Sequence, residues 1–233
     1  MPKKLYQSVF DGIVQRIVGG GYAPGMMLPS EFEIAGEFGV SQGTARKALI
    51  ELEKKGIVER RQGKGTFVTL RTPENSLFHF FRLRDENGNQ VVPDLLDEKI
   101  RKREATTREH ERLFGQPEEV FEISRVRSFE QKPLCHELSV VSVSLFPGLI
   151  ERAPLPNTLY VLFQQAYGCA IISARDKLTA KPAGAVIGAA LGVDPEVSVI
   201  AGSRESLDLL ERVIELRDSV YLTDNVHYSV VMD

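Results

Sequence analysis

Residues 28–68 constrain this chain more tightly than any other part of it. The run "LPSEFEIAGEFGVSQGTARKALIELEKKGIVERRQGKGTFV" sets two capped helical segments about three residues apart and follows them with two short strands around a cationic turn. Ser30 and Glu33 form the N-cap and N3 of a capping box that starts a short helix through Ile34, Ala35 and Phe38, stopped by Gly39. Ser41 caps the next helix, whose buried face is Ala45, Ala48, Leu49 and Leu52, and Gly56 sits where a C′ glycine belongs. Upstream, Leu5, Val9, Ile13 and Ile17, widened by Val14, predict an amphipathic helix over residues 5–18. Gly19-Gly20-Gly21 ends it and Pro24-Gly25 turns the chain. Three helices, the last two separated by a short turn, with a hairpin directly after them, make a winged helix-turn-helix.

The hairpin tip, Arg61-Gln62-Gly63-Lys64-Gly65-Thr66, has the residue types of a nucleotide-binding loop without its spacing. Five residues before Gly63 stands Val58 where a glycine is required, and Gly65 follows Lys64 where Ser or Thr would hold magnesium. The flanks at 57–61 and 66–68 read as two strands, whereas a phosphate-binding loop opens a helix. The phosphate suited to Lys64 is therefore that of a nucleic-acid backbone. Gln42, Thr44, Arg46 and Lys47, near the start of the third helix, are groups that meet phosphates or base edges in a major groove. A three-helix packing module with a merely charged face is the alternative. The net charge of −3 would argue against a polyanionic partner, but it hides an asymmetry. Residues 1–71 carry eleven Lys/Arg against seven Asp/Glu, and the remainder eighteen against twenty-five.

Arg71 to Asn75, a polar stretch with one proline, reads as the start of a linker over 71–76 between a domain of residues 1–70 and a second of 77–233. The second is rich in strands, expected at 77–84, 95–102, 120–129, 134–144, 170–179, 197–206, 213–219 and 226–232. Turns fit at 85–89 and 130–133, and helices at 107–114, 158–167 and 183–191. The fold class is thus α+β, with a mainly antiparallel sheet behind the winged helix. No apolar run approaches the ~20 residues that span a bilayer, and the N-terminus reads as an amphipathic helix and not a signal peptide. Cys135 and Cys169 have no metal-ligand spacing, and two reduced thiols in a cytoplasmic protein is the expectation. His79, His110, His136 and His227 fall in no metal or triad spacing, so neither a catalytic set nor a metal or other cofactor is expected.

In "VFEISRVRSF" the period of two puts Phe121, Ile123, Arg125, Arg127 and Phe129 on one strand face. Two arginines among apolar neighbours are costly if buried unpaired. They are either solvated on an edge strand or a guanidinium pair converging on an anionic ligand, for which the planar fork suits phosphate or carboxylate.

Residues 28–68 resemble, without gaps, the DNA-binding domain of the GntR family of bacterial transcription regulators. Phe32 and Gln42 stand where that family usually places operator-contacting arginines, while Thr44, Arg46 and the Gln62–Thr66 wing follow the family pattern. The resemblance implies a DNA-facing set of Ser30, Phe32, Ser41, Gln42, Thr44, Arg46, Lys47, Arg61, Gln62, Gly63, Lys64, Gly65 and Thr66. Residues 77–232 resemble the UTRA effector-binding domain of the HutC-type branch, a fold similar to chorismate lyase. The resemblance rests on Arg125-x-Arg127 with Glu137 on the next strand, the helix start "TLYVLFQQAYG", and Glu215, Tyr221, Asp224 and Tyr228 near the end. It implies effector-binding positions at Arg125, Arg127, Glu137, Thr158 (read as an N-cap), Glu215 and Tyr221. The function so implied is a ligand-responsive regulator, a repressor that binds operator DNA as a homodimer. A small anion, a sugar phosphate or a carboxylate, would control it. A lyase-like enzyme using the same domain, or an architectural DNA-binding protein without effector, are the other readings.

Overall fold

The computed structural model describes residues 4–70 and 80–230, so the expected linker lies outside the described residues. α1 (Leu5–Val18), α2 (Glu31–Phe38) and α3 (Gln42–Lys54) pack into a small bundle, closed by the hairpin of β1 (Val58–Arg61) and β2 (Gly65–Val68). The buried face of α1 is Val9, Phe10, Ile13 and Val14, while Leu5 lies outside it, 66% exposed. The capping box at Ser30 and Glu33 is formed, with Ser30 Oγ accepting from the Glu33 N–H at 3.3 Å and Glu33 Oε2 from the Ser30 N–H at 2.8 Å. α3 ends as its sequence predicts. Gly56 adopts φ +65°, its N–H bonds Glu53 C=O at 2.8 Å, and the Ile57 N–H bonds Leu52 C=O at 2.9 Å. Those are the two bonds of a Schellman motif. Ala45, Ala48, Leu49 and Leu52 of α3 meet α1 and α2 in one core with Leu28, Ile34, Ile57, Val58 and Val68.

The rest of the chain is built on an antiparallel sheet. β4 (Asp94–Glu104), β5 (Glu119–Phe129), β6 (Lys132–Ser142), β7 (Ile171–Pro182), β8 (Ser198–Asp208) and β9 (Val213–Tyr221) pair in the order β4-β5-β6-β9-β8-β7. Side chains alternate between two faces, and different helices cover each. On one, α5 (Leu159–Tyr167) packs Tyr160 and Phe163 with Phe121, Ile123, Val141 and Phe146. Each such fully buried side chain stabilises the domain by about 1.5–3 kcal/mol. On the other, α6 (Gly184–Leu191) lies over Val126, Val199 and Val220, and Leu113, after α4 (Thr107–Arg112), covers Val120, Val140 and Leu216. The strand expected at 77–84 is only β3 (Leu83–Asp85), which pairs with β10 (Val226–Tyr228) in a separate two-stranded sheet; Phe80 is helical and 77–79 lie outside the described residues. The turn at 85–89 is present, held by Asp85 Oδ1 accepting from the Asn87 and Asn89 N–H groups, but it leads to an isolated Arg84–Gln90 bridge and not a hairpin. Among the described residues no helix is long and apolar enough to cross a membrane.

Candidate nucleic-acid interface and ligand cavity

Two sites stand apart in the chain. On the winged-helix domain, the N-terminal turn of α3 and the hairpin tip expose Ser41, Gln42, Arg46, Lys47, Arg61, Gln62, Gly63, Lys64 and Gly65, with Ser30 and Phe32 exposed beside them on α2. Thr44 and Thr66 are half-buried. Ser41 Oγ accepts from the Thr44 N–H at 3.2 Å and shares a 2.9 Å hydrogen bond with Thr44 Oγ1, so Ser41 is a working N-cap. Phe32 is 76% exposed, and Met26 and Met27 are also open to solvent. Glu31 gathers two of the cations: Arg46 Nε at 2.9 Å from α3 and Arg60 at 3.4 Å from β1. Lys47 sits over the Tyr6 ring at 4.6 Å and Arg61 over Phe67 at 4.4 Å. The tip turns by a Lys64 N–H to Arg61 C=O bond of 2.9 Å with Gly63 at φ +70°. A side chain is strained in that conformation. At Gly65, φ +117°, a Cβ would also come within 3.2 Å of Met27 Sδ.

The second site is a band of paired charges crossing all six strands on the α5 face. Four acids and four arginines make it up: Glu98 on β4, Arg125 and Arg127 on β5, Glu137 on β6, Glu215 and Arg217 on β9, Arg204 on β8 and Asp176 on β7. Arg125 Nε donates to Glu98 at 2.8 Å, and Arg204 makes a two-pronged pair with Asp176 at 2.7 Å on both prongs. Arg217 reaches Glu215 at 2.8 Å, Glu137 at 3.2 Å and Ser139 Oγ at 3.0 Å. Arg127 bonds Glu137 and the Asn157 side chain, and its remaining nitrogen reaches Asn157 C=O at 3.1 Å. β5 lies inside the sheet between β4 and β6, and both of its guanidiniums are buried. Of the two readings of these arginines, solvated edge residues are thereby excluded.

Burial by itself would raise the Glu137 pKa, but the guanidiniums of Arg127 and Arg217 bring it down to about 2. Glu215 is likewise desolvated yet held below the ordinary carboxylate range by Arg217, Tyr160 and Ser206. The Tyr160 hydroxyl donates to Glu215 at 2.6 Å, and burial pushes its pKa up to about 12. Burial and the neighbouring Arg127 lower the pKa of Arg125.

A small cavity of about 40 Å³, open to solvent, lies beside this band. Of the expected ligand residues, Arg127, Glu137 and Thr158 line it, whereas Arg125, Glu215 and Tyr221 do not. Arg125 is 1% exposed and engaged by Glu98 and the Asn157 carbonyl, Glu215 is 0% exposed beneath Tyr160 and Arg217, and Tyr221 belongs to the neighbouring apolar cluster. Arg204, Arg217, Asn157 and Tyr160 complete the polar wall, with Phe80 and Phe81 across from them. None of these was singled out from the sequence, although Glu215-x-Arg217 repeats the two-residue spacing of Arg125-x-Arg127 on another strand of the sheet. Thr158 is the N-cap of α5, as read, in extended conformation, but its side chain makes no capping hydrogen bond. The start of α5, with the uncapped N–H groups of its first turn and its positive dipole end, thus forms one side of the cavity. The loop before α5 is set by buried charges: Glu98 accepts the Leu155 N–H at 2.8 Å, and Arg125 and Arg127 hold Asn157 C=O.

Comparison with known proteins finds two family matches along the chain. Residues 5–68 match the family described as bacterial regulatory proteins, gntR family, and residues 97–227 match the UTRA domain. Over 177 residues the chain is 31% identical to the "Probable fructoselysine utilization operon transcriptional repressor" of Escherichia coli (strain K12), covering 75% of this chain and 72% of that one. It is 27% identical over 235 residues to the "HTH-type transcriptional repressor NagR" of Bacillus subtilis (strain 168), covering 97% and 95%. Among solved structures, the ligand-binding domain of a GntR-family transcriptional regulator from Bordetella bronchiseptica aligns with a TM-score of 0.61 and 26% identity, over 66% of this chain and 98% of that one.

Proposed function

The chain belongs to the gntR family of bacterial regulatory proteins and carries a UTRA domain, and from that premise we propose how it works as a cytoplasmic repressor. It is a transcription regulator, with a winged helix for operator DNA and an effector-binding domain behind it, and not a lyase. Two copies related by a two-fold axis present their α3 helices to the two halves of a near-palindromic operator. Within each copy the first turn of α3 meets base edges, and Lys64 with the wing follows the adjacent backbone. The effector is a small anion with hydroxyl groups, bound in the cavity beside the charged band.

One observation carries the effector reading. Three guanidiniums, Arg127, Arg204 and Arg217, line the same cavity as the first turn of α5, against one carboxylate, Glu137. Such a wall suits a phosphate or carboxylate aligned with the helix N-terminus. Glu137 and Asn157 remain to accept or donate to hydroxyls, and Phe80, Phe81 and Tyr160 offer a face to a sugar ring. The E. coli relative's name, which refers to utilization of a sugar–amino acid conjugate, is in keeping with an effector of this kind, and a sugar phosphate is favoured over a bare carboxylate.

Thermal-shift screening against phosphosugars and small organic acids, followed by calorimetric titration, tests this directly. Arg127→Ala is expected to weaken the ligand at least about tenfold, because a buried charge-assisted hydrogen bond is worth about 1.5–3 kcal/mol. DNA binding without ligand is expected to stay near the wild-type value. Equal ligand affinities for wild type and Arg127→Ala would remove the cavity as the effector site.

A further inference from the structure

The tip of the β8–β9 hairpin carries two leucines where a turn in water carries polar residues. Residues 207–213 read Leu-Asp-Leu-Leu-Glu-Arg-Val. Asp208 builds the turn. Its buried carboxylate accepts the N–H groups of Leu210 at 2.9 Å and Arg212 at 3.0 Å, and the Arg212 guanidinium at 2.7 Å. Glu211 takes φ +59° and bonds back to Asp208 C=O at 3.0 Å, while Arg212 stacks over the Phe114 ring at 4.1 Å. A tip fixed in this way presents Leu209 and Leu210 in one direction, and with Ile172 they pack against the apolar core of the winged-helix domain. Polar contacts flank that seat: Lys55 Nζ to Glu211 at 3.1 Å, and the Gln164 amide of α5 to Thr69 C=O at 3.3 Å. The exposed ion pair adds little on its own, so the leucines carry the contact.

The position of the contact is informative. Lys55 ends α3, Ile17 and Val18 end α1, and Thr69 leaves the wing, whereas Gln42, Thr44 and Arg46 lie at the other end of α3. The seam therefore leaves the DNA-facing end open. It also borders an apolar cavity of about 160 Å³ lined from both sides, including Ile17, Ile57, Val68, Ile172 and Leu209. Surfaces that meet around such a gap separate more readily than an interlocked core.

We propose that the β8–β9 hairpin is a clasp that seats the winged-helix domain on the effector domain of its own chain and thereby fixes where each recognition helix stands in the dimer. The proposal rests on the dimeric reading given above. A seated domain holds its α3 at a set offset from the two-fold axis, so the two half-sites must be correctly spaced. An unseated one, joined only through the connecting chain, accepts other spacings but binds the correct one less tightly, because its position is no longer fixed in advance.

The test uses the full chain, a two-half-site duplex selected on wild type from a random pool, and the same duplex with its half-sites moved apart by roughly three base pairs. Wild type should lose at least about tenfold in affinity on respacing. Leu209→Ser with Leu210→Ser, and the milder Glu211→Lys, which sets two lysines together, should lose little on respacing and bind the original duplex more weakly than wild type. Wild type that tolerates respacing as well as the variants overturns the clasp. Hydrogen exchange without DNA gives an independent reading at Gly56, Ile57 and Thr69, whose amides border the seam. Exchange there should be at least about tenfold faster in the double leucine variant; equal rates overturn the proposal. If wild type binds one half-site as tightly as two, the dimeric reading fails, and the exchange rates alone decide whether the clasp exists.

Discussion

Glu137 accepts from both Arg127 and Arg217 while fully buried, and this has a consequence for stability against pH. Its pKa is about 2 in the folded chain against an ordinary 4.5, so between those values the unfolded chain binds the extra proton. The stability contributed by the ionised carboxylate is complete above about pH 4.5 and is lost as pH falls towards 2, by up to roughly 3 kcal/mol. Glu137→Gln removes that charge and leaves two buried guanidiniums less well compensated, so it should destabilise the domain near neutral pH. The gap between wild type and Glu137→Gln in urea unfolding should then narrow across that window; a gap independent of pH would mean that Glu137 is not the ionised partner. On the other domain, Phe32 and Gln42 are exposed, on α2 and at the start of α3. Arginine reads guanine through a bidentate contact, whereas Gln prefers adenine and Phe offers only apolar contact, as to a thymine methyl. Selection from random duplexes should therefore yield an operator with adenine and thymine where the family's usual arginines face guanine. Recovery of guanine at those positions would show that these two side chains do not govern recognition.

At the scale of elements, the β5–β6 hairpin offers a clean test of turn chemistry. Its two-residue loop places Glu130 at φ +50° and Gln131 at φ +65°, the conformation that Asn-Gly adopts with least strain. Glu130→Asn with Gln131→Gly should raise stability by about 0.5–1 kcal/mol without moving the charged band, measured as a higher unfolding midpoint. No change would mean that the turn is not strained. The same elements show what local sequence can and cannot announce. Ser30 with Glu33, Ser41 with Thr44, and Gly56 after Lys54 are decided within one turn of helix, and each is formed as read. β5 was legible from its alternation, but its depth was not, because that depends on which strands flank it. The partners of Arg125 and Arg127 lie 27 and 10 residues away, at Glu98 and Glu137. Arg204 and Arg217 join the cavity only because β9 pairs with β6 and β8 with β9, a fact no window of sequence contains. Within the strand expected at 77–84, the described residues show the same limit: Leu83 and Arg84 are in β3, but Phe80 and Phe81 wall a cavity.

Across the whole molecule, charge is divided between the two domains. The first 71 residues carry an excess of four basic charges and the rest an excess of seven acidic ones, so a chain of net −3 still presents a cationic face. Part of that face is already occupied, since Glu31 pairs with Arg46 and Arg60 and Glu59 with Arg61. DNA must displace such partners to use the arginines, while Lys64 stands exposed at the wing tip. The acidic effector domain repels the backbone at longer range, a force that salt screens. Binding should therefore weaken with added salt in spite of the acidic net charge, because counterion release follows the number of phosphates neutralised and not the charge of the whole chain. Arg46→Ala together with Lys64→Ala should lower affinity for every duplex. It should also make the slope of log affinity against log salt shallower, by roughly one unit for each phosphate left without its cation. A shallower slope with unchanged operator preference would place both side chains on the backbone. A relaxed preference at one base pair would place Arg46 on a base edge instead. A titration in which neither affinity nor slope changes would remove α3 and the wing from the interface.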